Sequence, residues 1–113
     1  MDNLLTIAFE ARNDESNHHR HYQITVGRDL LGEWTISIRY GRIGQYGHEM
    51  HYADPDPKEL RAVIRERLRR RLSAPKRIGC AYRLTDFNMA SDFDGLSWLP
   101  GEVMTGFISS RTI

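Results

Sequence analysis

Strict two-residue alternation over the first half of the chain limits the possible folds more than any other feature. In L-L-T-I-A-F-E, Leu5, Ile7 and Phe9 alternate with smaller or polar residues. In H-Y-Q-I-T-V, Tyr22, Ile24 and Val26 fall on one side, Gln23 and Thr25 on the other. In E-W-T-I-S-I-R-Y, Trp34, Ile36, Ile38 and Tyr40 alternate with Thr35, Ser37 and Arg39. Period two is the signature of half-buried antiparallel strands. A weaker fourth strand, H-E-M-H-Y, would turn Met50 and Tyr52 inward. Asn13–Asn17 and Gly27–Gly32 read as the intervening turns. No helical pattern separates these strands, which excludes a doubly wound sheet.

The period then changes. Asp56-Pro57-Lys58-Glu59 has the layout of a helix start: an N-cap acid, proline at the first helical position, and a glutamate three residues after the cap. Leu60, Val63, Ile64, Leu68 and Leu72 follow at helical spacing and form one apolar stripe. Ser73-Ala74-Pro75 ends it, because the residue before proline is pushed out of the α region. K-R-I-G-C-A-Y-R-L after Pro75 reads as a turn and a short final strand. The expected fold is therefore α+β: an antiparallel sheet of four or five strands with one long helix on a face. Residues 1–85 form that domain. Residues 86–113 form an acidic, aromatic extension with no clean period, whose Trp98 either packs back on the sheet or anchors a partner.

Charge is unevenly spread. Residues 1–57 carry five bases and nine acids, residues 58–77 nine bases and two acids, and residues 78–113 two bases and four acids. A basic segment flanked by acidic ones bears on partners rather than on fold. Arg61, Arg65 and Arg69 fall on one helix face, and Arg67, Arg70 and Arg71 extend the charge. Such a face is either solvated, covered by the acidic extension, or a seat for a polyanion. The apolar runs are too short for a membrane helix. The acidic N-terminal start and the single Cys80 point to a cytoplasmic, reducing setting.

Three glycines stand at three-residue spacing in R-Y-G-R-I-G-Q-Y-G: Gly41, Gly44 and Gly47. At the end of the third strand they suit a hairpin that needs positive φ. A phosphate-cradling loop would need a helix to open there, and a strand follows instead. The longer stretch G-E-W-T-I-S-I-R-Y-G-R-I-G-Q-Y-G resembles the core of the WGR domain, found in eukaryotic poly(ADP-ribose) polymerases and in stand-alone bacterial proteins. The upstream H-Y-Q-I-T-V-G-R-D-L-L-G-E-W is similar to the stand-alone forms. The resemblance covers residues 4–83 or so. The name-giving Trp is Tyr40 here, and the family's Gly-Tyr after the helix is stretched to Gly79-Cys80-Ala81-Tyr82.

That resemblance implies a small antiparallel sheet with a helix, and a non-enzymatic module that engages DNA. Carried over by position, it marks Tyr40, Gly41 and Arg42 as DNA contacts. Arg39, the helix residues Arg61, Arg65 and Arg69, and Lys76 and Arg77 join them as candidate phosphate contacts. The competing reading makes Arg42 a hairpin residue paired with an acid such as Glu49, and the chain a protein-interaction or regulatory module. The extension is the candidate surface for a protein partner.

Chemistry of other kinds finds little footing. His18, His19 and His21 cluster, but His48 and His51 point to opposite faces, so no metal site is expected. No cofactor motif appears. Asp54 and Asp56 read as turn and cap residues, and no nucleophile–base or paired-carboxylate frame stands out.

Overall fold

A computed structural model describes residues 2–74, 80–99, 101 and 104. The elements in chain order are β1 (Asp2–Asn13), β2 (His18–Arg28), β3 (Trp34–Arg42), β4 (His48–Asp54), α1 (Pro57–Leu72), β5 (Arg83–Met89) and a short 3-10 turn at Gly95–Ser97. All five strands join one antiparallel sheet in the order β4-β3-β2-β1-β5. The α+β architecture read from the sequence is the one observed.

Cross-strand rows show why alternation produces this sheet. Leu5, Val26, Ile36 and Tyr52 align across four strands, as do Ile7, Ile24, Ile38 and Met50. A third row runs Phe9, Tyr22, Tyr40, His48. These rows line the core face, where the Ile, Val, Phe and Tyr22 side chains are fully buried. Burying each large aliphatic side chain contributes about 1.5–3 kcal/mol. Leu60, Ile64 and Leu68, four residues apart on α1, close the core from above. The other sheet face carries Thr6, Ala8, Gln23, Thr25, Ser37 and Arg39, all half-buried, with no helix over it among the described residues.

The start of α1 is capped in part as expected. Asp56 accepts from the Lys58 N–H at 3.0 Å. The reciprocal bond expected from Glu59 is replaced: the Asp56 N–H donates to the Asp54 carboxylate at 2.8 Å. Asp54 stands at the end of β4 and reaches the cap sooner than a side chain on the helix.

The fifth strand differs most from expectation. It begins at Arg83, the penultimate residue of the segment expected to hold it, and continues to Met89, across the 85/86 point where the extension was drawn. Its bond pattern continues past its end, as the Ala90 N–H donates to the Leu4 carbonyl at 2.9 Å. The 3-10 turn then delivers Trp98, 2% exposed, and Leu99 into the core. Trp98 meets Trp34 at 5.3 Å between ring centroids, with Phe93 beside both. Cys80 is a buried thiol. Among the described residues, no helix is long and apolar enough to cross a membrane.

Candidate nucleic-acid interface

The β3–β4 hairpin is shaped by its glycines. The Gln45 N–H donates to the Arg42 carbonyl at 3.1 Å, with Gly44 at φ +91° in the third turn position. A type II turn requires positive φ there. Gly41 and Gly47 lie back to back. A Cβ on Gly47 would stand 2.2 Å from the Tyr40 carbonyl oxygen, and one on Gly41 would stand 2.8 Å from the Gly47 Cα. Only bare backbone permits this approach. The Ile43 N–H also donates to the His19 carbonyl at 2.8 Å, which ties the turn to the start of β2.

This end of the core face is cationic. Arg20 on β2 and Arg42 on β3 are register partners directly across the ladder, and both are exposed. Like charges so placed repel unless an anion lies between or beside them. Arg42 does not pair with Glu49. Its guanidinium donates to the neutral Asn17 side chain at 3.1 Å, while Glu49 accepts the Tyr46 hydroxyl and faces His51. Asn17 reaches Arg42 from the β1–β2 turn, where it holds φ +55°.

Two adjoining grooves of ≈ 230 and ≈ 450 Å3 share Arg20, Tyr40 and Gly41. The first adds His21, Arg71, Ala74 and Tyr82; the second adds Asn17, His19, Arg42 and His48. No acidic residue is among the described residues lining either groove. Tyr40 is half-buried between Tyr22 (6.3 Å) and His48 (5.5 Å). Arg71 stands over the Tyr22 ring at 4.1 Å and the Tyr82 ring at 5.9 Å. Burial pushes the Tyr22 phenol up to about 12, with the nearby Arg71 charge opposing.

The candidate residues thus divide. Tyr40, Gly41 and Arg42 share the grooves. Arg39 points to the opposite sheet face, where its guanidinium covers the Tyr46 ring at 5.0 Å. Arg61 lies over Trp98 at 5.1 Å, on the flank of the helix rather than its outer face. Arg65 and Arg69 line an outer hollow with Glu66, which pairs with Arg70 at 3.7 Å. Lys76 and Arg77 lie outside the described residues. The grooves also hold Arg20, Arg71 and His48, which are not among the candidate contacts carried from the sequence. Arg71 was legible as a seat toward the sheet, being three residues past Leu68 and seven past Ile64. Arg20 needed the register of β2 against β3, which a sequence does not print.

The WGR domain family matches residues 5–72, more than half of the 113-residue chain. The chain belongs to the WGR domain family. No curated protein matches it. A WGR domain is a binding module rather than a catalytic domain, and in poly(ADP-ribose) polymerases it is of a nucleic-acid-binding type. The matched WGR segment contains the whole of β2, β3, β4 and α1, and so every groove residue named above except Ala74 and Tyr82. Among the described residues no group of three or more His, Cys, Asp and Glu side chains converges as a metal site.

Proposed function

We propose that this WGR chain is a non-enzymatic, cytoplasmic module that holds nucleic acid, DNA first, by its backbone. One observation carries the reading: the grooves around Tyr40 gather Arg20, Arg42 and Arg71 without a lining carboxylate among the described residues. A guanidinium offers paired donors that match phosphate oxygens. Arg20 and Arg42 would take phosphates at the rim. Tyr40, with the His48 ring against it, would contact a sugar or base. Gly41 would let the backbone approach closely. Arg65, Arg69, Lys76 and Arg77 would add long-range attraction. Residues 1–85 would be the binding domain, completed by the rest of β5 and by the segment that carries Trp98.

A second reading, a protein-binding module, is favoured by Leu30 and Leu31. They stand 94% and 88% exposed on the β2–β3 turn. Bonds from the Leu31 and Glu33 N–H groups to Asp29, both 2.9 Å, hold that turn rigid.

A salt-dependent DNA titration followed by anisotropy separates the two. Log affinity should fall with log salt by about 0.9 per phosphate neutralised. Arg42→Ala or Arg20→Ala should each weaken binding and reduce the slope by about 1. Flat titrations at low salt with duplex, nicked and single-stranded DNA would remove the first reading in favour of the second.

A further inference from the structure

The open sheet face holds a cleft that the groove does not explain. The β3–β4 loop folds over the end of β2, where the His21 ring Nε2 meets the Gln45 carbonyl at 3.1 Å. Between loop and sheet lies ≈ 360 Å3 of space lined by Glu10, His21, Gln23, Arg39, Tyr46 and others. That volume lies at the small end for ligand sites and suits a single nucleotide-sized molecule.

Its chemistry is specific. Arg39 Nε is buried with no hydrogen-bond partner, and among the described residues Arg39 makes no ion pair. Its cross-strand neighbour Glu49 is engaged elsewhere, accepting the Tyr46 hydroxyl. The other carboxylate at the cleft, Glu10, is already paired with Arg12 at 3.0 Å. Arg39 is therefore a cation outside any close ion pair among the described residues, with the Glu49 carboxylate across the ladder and Glu10 at the cleft wall. Beside it stands Tyr46, a ring 62% exposed. Gln23 supplies an amide that can both donate and accept. A cation over one side of the Tyr46 ring, the exposed remainder of that ring and a neutral amide together fit a phosphate joined to a flat, edge-bonding ring.

We infer that this cleft is a second site, taking one nucleoside phosphate, with the phosphate on Arg39 and the base against Tyr46 and Gln23. It lies on the sheet face opposite the Tyr40 groove, and His21 lines both. The inference does not depend on the groove holding DNA. The nucleoside phosphate can be a free mononucleotide or the unpaired end of a strand.

The test is a titration of the full chain with AMP, with inorganic phosphate and with a short single-stranded oligonucleotide, followed by amide chemical shifts. AMP should shift Gln23, Arg39 and Tyr46 saturably and bind more tightly than phosphate. Arg39→Gln should weaken AMP by roughly tenfold, the scale of a lost charge-assisted hydrogen bond. Tyr46→Ala should weaken it less, and Tyr46→Phe, which keeps the ring, should restore it. The spectrum of each variant reports whether the fold is kept. An oligonucleotide that matches these shifts while AMP gives none would assign the site to strand ends; both binding would assign it to either source. Neither AMP nor the oligonucleotide binding more tightly than phosphate, shifts confined to Tyr40 and Arg42, or no shifts with any probe would each overturn the proposal. Arg42→Ala should leave AMP binding intact, and Arg39→Gln should leave the duplex salt slope intact. The two sites can therefore fail separately.

Discussion

The two ends of the core face are built from the same parts and use them differently. At one end Arg28 covers Trp34 at 4.7 Å, Trp34 packs on Trp98, and Arg61 covers Trp98 at 5.1 Å. Two cations enclose two indoles, and the segment after β5 is fastened between them. At the other end Arg71 covers Tyr22, but the ring row continues through Tyr40 to the exposed His48, and Arg20 and Arg42 stand past it with no ring or acid against them among the described residues. A guanidinium over an enclosed ring is a structural contact worth about 0.5–2 kcal/mol. One facing a like charge is destabilised, and an anion placed there would relieve the repulsion. The number of arginines at each end says little; what each faces says much.

Removing Trp98 should break the comparison most strongly. Trp98→Ala should cost about 3–5 kcal/mol by denaturant titration, because it empties a buried site. Cutting the chain after Met89 should cost at least as much and unfold the domain. If the truncated chain instead stays folded and binds DNA more tightly, the extension is a cover over the basic surface and not part of the core.

A pH titration probes the other end. Tyr22 ionises near 10 when unfolded and at about 12 when folded. Below pH 10 the fold keeps its full stability, and as pH rises to 12 it loses about 2–3 kcal/mol, because the unfolded phenol ionises first. Tyrosinate absorbance should show Tyr22 titrating late. The buried Tyr22 hydroxyl has no hydrogen-bond partner among the described residues. Tyr22→Phe should thus remove the Tyr22 contribution to that titration without loss of stability.

The smallest effect sharpens the contrast most. Arg28→Ala should cost about 0.5–1 kcal/mol of stability and leave the DNA salt slope unchanged. Arg42→Ala should do the reverse. Equal effects of both on the slope would mean that the two ends are not distinct.

Much of this was legible before any coordinates. The rows Leu5–Val26–Ile36 and Ile7–Ile24–Ile38 follow from alternation, since a strand that buries one face has no freedom in its period. The helix start followed from Asp56 and Pro57. β5 was misplaced because Thr85, Asp86, Phe87 and Asn88 are exposed edge residues, so burial imprints no alternation on them. Spacing puts Arg61 on one face with Arg65 and Arg69, but it gives an angle and not where a long side chain ends. Arg61 and Arg71 sit at the margin and floor of the stripe, and their heads turn to Trp98 and Tyr22. In the hairpin, three glycines were visible, but the collision that makes Gly47 irreplaceable involves Tyr40 across the ladder, a contact set only by register.

The order β4-β3-β2-β1-β5 also sets a clock for the chain's birth on the ribosome. β1 sits inside the sheet, yet its second neighbour, β5, is made last, some eighty residues later by the Leu5–Met89 pairing. Until residues 83–89 emerge, the nascent protein exposes one long side of its first strand, an invitation to pair with a stranger.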